Sequence, residues 1–426
     1  YYIYTFYQYR GLSHGSFRNS YTFHLFSILI FPMAKYFFKL HKTAILTLLV
    51  LIIAVAWGEI FTRILLPQNV DAQMNIFETD ELIGFIYKPH AMTYEKGREY
   101  NALYKINSIG LRDREYGHKK DGDFRILLLG DSFAVSHGIE LEDSLSRQLE
   151  KAIQEIADKE SISVRIQVIN AACGGYSTFN YWKAYHRWAP LLNPDLVLVV
   201  FSPDDYDASN AYMKYVIVDG MTLDAFAPGQ KHSSHNVSRI KKLRKWLSWN
   251  SEFYILLRNY LYYNDFAGNL MIWLDSRGKI QNSQLEPFIF PESIGIINAW
   301  RESFTYLQYL DNDIRQDGLE LIIMTVPLKL EIDDKYRKQI LASNKIPDSQ
   351  FDVERPLNQI KKFCEMNAIS LLDPRDELQK KHKEKPCYFI YDGHWVTEGI
   401  RTASESAARQ LSQLQILPFL PSNSKR

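Results

Sequence analysis

The rhythm of apolar and polar positions changes three times along this chain. Residues Thr43 to Gly58 (TAILTLLVLIIAVAWG) are uncharged and almost wholly apolar, and Ile60-Phe61 and Ile64-Leu65-Leu66 extend them. A helix that spans a bilayer needs about 20 such residues, and Arg63 can snorkel to the interface, so residues 43–66 are expected to be a transmembrane anchor. Residues 67–123 show little helical period, with Pro89, Gly97 and scattered charges, and predict an extended neck and an entry subdomain. From Phe124 short apolar runs alternate with helical patterns. Ile126 to Leu129, Val164 to Ile169, Leu196 to Phe201, Leu319 to Thr325 and Ala368 to Leu372 read as buried strands. Leu145, Leu149, Ile153 and Ile156 fall at helical spacing between the first two. Such alternation predicts a parallel sheet covered on both faces, in a domain over 124–415 that ends in a helix from Thr397, as its cap, to Leu414. Residues 211–290 break the rhythm with many tyrosines and phenylalanines and a loop-like Pro228-Gly229. A lid or substrate platform and a helical hairpin packed on the core are both open readings of this insert. Residues 416–426 are a tail.

The chemistry-bearing residues sit where those strands end. The first strand runs into Gly130-Asp131-Ser132, a turn of the kind on which an α/β enzyme presents a nucleophile. The second is followed by Asn170-Ala171-Ala172-Cys173-Gly174-Gly175, the third by Ser202-Pro203-Asp204-Asp205. Far downstream lies Tyr391-Asp392-Gly393-His394-Trp395. Acyl transfer needs a nucleophile, a base, a group that orients the base, and donors for the oxyanion. Ser132, His394 and Asp392 are the candidates for the first three. Taken singly, Ser132 is equally a helix-capping serine and Asp392-Gly393-His394 a polar loop.

The order G-D-S, N-x-x-x-x-G, a polar turn after PDLVLVV, then D-x-H-W resembles the SGNH/GDSL hydrolase superfamily. The likeness runs from about Ile106, with Ile106-Asn107-Ser108 ahead of Gly110-Leu111-Arg112, to about Ala408. The resemblance implies a three-layer, flavodoxin-like α/β fold with the blocks at the carboxyl edge of a central parallel sheet. It implies a serine esterase or O-acyltransferase with catalytic Ser132, His394 and Asp392 and no cofactor. It also implies an oxyanion hole from the N–H groups of Ser132 and Gly175 and a side chain of the third block. There the chain departs from the family, which usually carries an Asn where this sequence has Asp204. A carboxylate cannot donate to an oxyanion. Either burial beside Asp205 protonates Asp204, or Asn210 substitutes, or the enzyme is slow or specialised. The D-x-H spacing, against the commoner D-x-x-H, matches exported members that modify polysaccharides. Trp395 is expected to pack behind His394, with sugar stacking as the other role.

Composition narrows the setting. The 50 basic and 49 acidic residues leave no electrostatic footprint for nucleic acid. The run Lys241-Lys242-Leu243-Arg244-Lys245 reads as a solvated face, with anionic lipid or glycan as the alternative. Three cysteines make no disulfide framework; Cys364 and Cys387 either pair or stay as buried thiols, and no ligand spacing indicates a metal. Lys35, Lys39 and Lys42 before the apolar run place the N-terminus in the cytoplasm and all later residues outside a bacterial-type cytoplasmic membrane. Ala54-Val55-Ala56 fits a signal-peptidase site, so cleavage is the alternative to a retained anchor. Met33, which opens MAKYFFKLHK, reads as the natural start, with residues 1–32 as upstream sequence or, alternatively, Phe23 to Phe38 as a further interfacial helix. The expected partners are an ester-bearing substrate, in particular a cell-surface or exported glycan, and polysaccharide-assembly proteins. A binding protein without turnover is the competing function, and Asp204 is its main support.

Overall fold

The computed structural model describes residues 21–66, 76–97, 99–206, 215–218, 221–224, 246–247, 250–263, 285–417 and 419. Asn210, Pro228-Gly229 and the run Lys241 to Lys245 lie outside them, as does most of the insert. The chain divides into two compact units, Tyr1–Gln68 with Ser251–Leu256, and Asn69–Asn250 with Leu257–Arg426.

In the first unit a single helix, α1 (Tyr21–Leu65), contains the apolar run. Its Lys42–Leu65 part is long and apolar enough to cross a membrane, and a signal sequence would pass the same test. The 24 residues rise about 36 Å at 1.5 Å each. Near its end, Glu59 accepts hydrogen bonds from Ser251 Oγ (2.7 Å) and from the backbone N–H groups of Glu252 (3.0 Å) and Phe253 (3.1 Å). Its carboxylate thus caps the start of a second helix, satisfying donors that have no intrahelical partner.

The second unit holds Gly130-Asp131-Ser132, Asn170 to Gly175, Ser202 to Asp205 and Asp392-Gly393-His394. Two hairpins lead it, β1 (Phe77–Asp80) with β2 (Gly84–Tyr87) and β3 (Met92–Lys96) with β4 (Asn101–Lys105). Then come β5 (Asp123–Gly130), the short α2 (Ser132–Val135), α3 (Leu145–Lys159), β6 (Arg165–Asn170), α4 (Thr178–Leu192) and β7 (Leu196–Phe201). Beyond a hairpin β8 (Tyr215–Val218) and β9 (Met221–Asp224) come α5 (Glu252–Tyr263), whose residues up to Leu256 belong to the first unit, and then α6 (Ile294–Gln316), β10 (Leu321–Thr325), α7 (Lys329–Ile332) and α8 (Asp334–Asn344). The chain closes with α9 (Arg355–Asn367), β11 (Ser370–Leu372), α10 (Arg375–Glu384) and α11 (Thr397–Gln413).

The five-stranded sheet runs in the order β11-β10-β7-β5-β6, and every neighbouring pair is parallel. With β5 counted first this is the flavodoxin-like order 2-1-3-4-5. Right-handed crossovers then place α3 on one face and α4 on the other. α3 packs on α11, and α4 packs on α6. Strands covered on both faces must be apolar throughout, and Ile126 to Leu129 and Val197 to Val200 are fully buried. The sheet reverses winding between β5 and β7, and the crevice outside the carboxyl ends of those strands is where an open α/β sheet binds its ligand.

Within residues 67–123, Ile83, Phe85, Tyr87, Tyr104 and Ile106 are buried in the main core. Alternation in strands this short is too brief to stand out from a loop. One expectation, the cap of the last helix, is corrected. Thr397 does not cap the last helix; it is the first helical residue, and Val396 holds the cap position. Cys173, Cys364 and Cys387 are buried free thiols.

Gly399, in the first turn of α11, lies against the backbone of Cys387, whose carbonyl carbon would be 3.1 Å from an added Cβ and whose oxygen would be closer still. Gly399→Ala is therefore expected to push the segment before Asp392 outward and cost roughly 1–3 kcal/mol, the usual overpacking range. Thermal unfolding of the full chain, compared with wild type, checks it.

Candidate active site

Three chain segments meet at the carboxyl end of β5. Gly130 ends the strand where a Cβ would collide with Ala134 and approach Val200 O to 3.1 Å, so only glycine lets the chain turn so tightly into α2. Asp131 is the N-cap of α2, its Oδ1 accepting the Phe133 N–H at 2.9 Å. Buried Arg112 holds the end of the turn by donating to Val135 O at 2.6 Å and to Ile139 O. These constraints aim Ser132 outward from the sheet edge, partly exposed.

Ser132 Oγ lies 2.8 Å from His394 Nε2, across 262 residues of sequence. His394 Nδ1 lies 2.6 Å from Asp392 Oδ1. Serine, imidazole and carboxylate thus form one hydrogen-bonded line, with Nδ1–H donating to Asp392 and the lone pair of Nε2 facing the serine hydroxyl. Burial opposes ionisation of Asp392, but hydrogen bonds from His137 and His394 outweigh it and hold the carboxyl well below the usual range. The side chains of Asp392 and His394 keep 24% and 21% exposure, so a substrate can reach them.

The D-x-H loop is held by opposite charges. Glu99 accepts the backbone N–H groups of Ile390 (2.6 Å), Tyr391 (2.7 Å) and Asp392 (3.3 Å). Lys329 Nζ donates to the carbonyls of Phe389 (3.0 Å) and Ile390 (2.8 Å). Behind the histidine, the Phe133 ring packs 4.5 Å from His394 and 5.4 Å from Trp395. Trp395 is 2% exposed, so it supports the base from behind and cannot stack on a sugar.

The second block closes the other side. Gly175 adopts φ +85, a left-handed conformation that favours glycine. An added Cβ on Gly174 would lie 4.0 Å from Ser132 Cβ, which puts this loop beside the nucleophile. Gly174 N–H donates to Tyr87 Oη at 3.3 Å, and Tyr176 Oη donates to Phe85 O at 2.7 Å, so hairpin β1–β2 props the loop. Asn170 is buried and structural: its Nδ2 donates to Ala134 O at 3.0 Å, and its Oδ1 accepts the Ala172 N–H at 3.0 Å.

In the third block the exposed acid is Asp204, which accepts from Ser202 Oγ, and the buried one is Asp205, which accepts the Ser202 N–H at 2.8 Å. Burial as a means of protonating Asp204 is therefore corrected; it acts on its neighbours instead. Burial and then the charge of Asp204 push Asp131 up to about 8, and burial with the charges of Asp131 and Asp204 raises Asp205 as well. Asn210 lies outside the described residues.

Sequence reasoning missed four groups around the triad: Glu95, Glu99, Tyr100 and His137. His137 stands five residues after Ser132, a proximity that could have marked it. The others come from the β3–β4 hairpin, 32 to 37 positions before Ser132, with no local signal. His137, Asp392 and His394 offer three ligand atoms within 4.8 Å of one another. Those atoms are engaged in the hydrogen bonds of the triad and of Tyr100, so the cluster is not read as a metal centre.

No family model matches the chain, and no curated protein matches it. Among solved structures it is similar to a catalytic mutant of Axe2, an acetylxylan esterase from Geobacillus stearothermophilus, at 9% identity and TM-score 0.36, over 68% of this chain and 94% of that one. It is similar to the psychrotrophic esterase EstA from Pseudoalteromonas sp., at 12% identity and TM-score 0.32, over 68% and 98%. It is also similar to a GDSL-like lipase from Bacteroides thetaiotaomicron, at 8% identity and TM-score 0.29, over 68% and 88%. In block order the chain resembles SGNH/GDSL hydrolases.

Replacing Asp392 by Asn removes the charge and favours the wrong tautomer of His394. Ester turnover is expected to fall on the order of 10³- to 10⁴-fold with the fold retained. Steady-state kinetics beside circular dichroism checks both halves.

Proposed function

We propose that this chain is a serine esterase or O-acyltransferase of the SGNH type. It is held in a cytoplasmic membrane by residues 43–66 with its catalytic domain outside, and it acts on acyl esters, acetyl first, of a cell-surface or exported glycan. The observation that carries the reading is the Ser132–His394–Asp392 line, at 2.8 and 2.6 Å. In the proposed reaction Ser132 Oγ attacks the ester carbonyl while its proton passes to His394 Nε2. The tetrahedral oxyanion is met by the N–H groups of Ser132 and Gly175. Collapse breaks the bond to the leaving alcohol, which takes the proton from His394 and leaves an acyl-Ser132. Water or a sugar hydroxyl then attacks that acyl group with the same base, which separates hydrolase from transferase only by the acceptor.

The glycan and the outside location are supported by the resemblance to exported D-x-H members and by the charge pattern before the apolar run. Retention of the anchor and contact with polysaccharide-assembly proteins belong to the same proposal. A second reading, a glycan-binding protein with little turnover, is favoured by one observation: Asp204 stands where the family donates to the oxyanion, and it faces solvent.

The first test is hydrolysis of a chromogenic acetate ester by the full chain in detergent, with Ser132→Ala alongside. Turnover present in wild type and lost in the variant supports the serine reading; equal turnover in both sinks the triad assignment. No turnover in either folded protein favours binding alone or a transferase that rejects small esters. Asp204→Asn is expected to raise the same rate, up to the order of 100-fold if the new amide reaches the oxyanion. An unchanged or lower rate would assign the third donor elsewhere.

A further inference from the structure

His137 lies outside the Ser132–His394–Asp392 line, yet it is enclosed by it. Its Nδ1 is 2.9 Å from Glu95 Oε1, and its Nε2 is 2.7 Å from Tyr100 Oη. Tyr100 Oη in turn donates to Asp392 Oδ2 at 3.4 Å, and His137 Nε2 is itself 3.6 Å from that oxygen. Asp392 therefore uses one oxygen for His394 and the other for the Tyr100–His137 pair. The His137 ring also lies against the His394 ring, with centroids 4.6 Å apart.

Two acceptors flank the two nitrogens of His137, a carboxylate and a hydroxyl that passes its own proton to Asp392. Both nitrogens then donate, and an imidazole that donates twice is a cation. The place is built for it. Gly138, at φ +73, leaves room for the Tyr100 ring, whose Cγ would stand 2.6 Å from an added Cβ. Gly138 N–H also donates to Glu95 Oε2 at 2.9 Å, so Glu95 is fixed at both oxygens.

Resting on the serine-hydrolase reading, we propose that His137 is a positioning residue: a charged imidazole, bracketed by Glu95 and Tyr100, that fixes the second oxygen of Asp392 and places a cation against the His394 ring. The ionisable groups that face it are Glu95 from β3, Tyr100 from the β3–β4 turn, and Asp392 and His394 from the D-x-H loop. Glu99 sits on the amides of that loop. Tyr104 lies behind Glu95, and Arg112 is over its ring at 3.7 Å. Burial disfavours the charged form of His137, but the hydrogen bonds and charges of Asp392 and Glu95 outweigh it and raise the group to about 9. The charge is thus present at neutral pH and lost as pH rises through about 9. A fixed cation one ring away disfavours a further positive charge beside it.

The test labels Ser132 of the full chain in detergent with a fluorophosphonate from pH 5 to 10. It compares wild type, His137→Gln and His137→Lys. His137→Gln is expected to label up to about tenfold more slowly at pH 5, on the acid limb, because that limb moves up by about one pH unit, the size of shift a nearby charge produces. Above pH 9, where wild type has lost the charge too, the rates converge. His137→Lys, which keeps a cation, restores part of the limb. Superimposable profiles, or a loss equal at every pH, would overturn the proposal, the second outcome marking a merely structural residue.

Selective ¹⁵N-histidine spectra separate this proposal from the reading beneath it. The ring signal absent in His137→Gln should carry two N–H protons at pH 8 in wild type and lose one in Glu95→Gln. A neutral ring at pH 8 refutes the proposal whether or not Ser132 reacts. If wild type fails to label while that ring is doubly protonated and His394 titrates higher in His137→Gln, the serine reading falls and the positioning role stands.

Discussion

Everything at this site depends on one closure, the 2.8 Å contact between Ser132 and His394 over 262 residues. No local propensity can make such a contact. It exists because β5, which ends at the serine, is flanked by β6 and β7, and because the last crossover returns the chain to the same sheet edge before α11 begins. An all-parallel sheet presents every carboxyl end on one side. Its order 2-1-3-4-5 opens the crevice beside β5, where the winding reverses. The fold thus acts as an entropy device: it brings serine, base and acid together at the cost of ordering the core, and the reacting groups no longer bear that cost individually.

The site is then stiffened by charge rather than by further apolar packing. Glu99 and Lys329 fasten amides and carbonyls of one loop, Arg112 fastens the turn after the serine, and Glu95 fastens His137. Each of these groups meets its opposite in a partly dry setting, where charge-assisted hydrogen bonds are roughly twice as strong as neutral ones. The two acids under the third block follow the reverse logic. Asp131 and Asp205 lie where an ionised form is disfavoured, while the charge in that block faces water on Asp204.

How far the sequence spoke can be argued from particular residues. The strands Ile126 to Leu129 and Leu196 to Phe201 were legible because a strand buried on both faces must be a continuous apolar run. Ser132, Asp392 and His394 were legible because a turn and a D-x-H pair are compact local patterns. Glu95, Glu99 and Tyr100 were not, because their roles exist only where a hairpin 32 to 37 residues before the serine meets a loop some 260 residues after it. Phe85 and Tyr87 were hidden for a related reason: strands of four residues give too few positions for a period to show. Which of Asp204 and Asp205 turns inward was also illegible, since neighbours on a short 3₁₀ turn look alike in sequence and differ only in direction.

The clamp on the D-x-H loop separates two tasks within five residues. Glu99 and Lys329 grip backbone atoms of the loop, while Ile390 between them stands 66% exposed. The side chain of Ile390 can be exchanged without loosening either grip on the backbone. That position is therefore open to drift by point substitution, while the Ser132–His394–Asp392 line stays under constraints that Ile390 does not carry. In evolutionary terms, this edge of the loop is a surface variable and the geometry of the proposed triad an interior one.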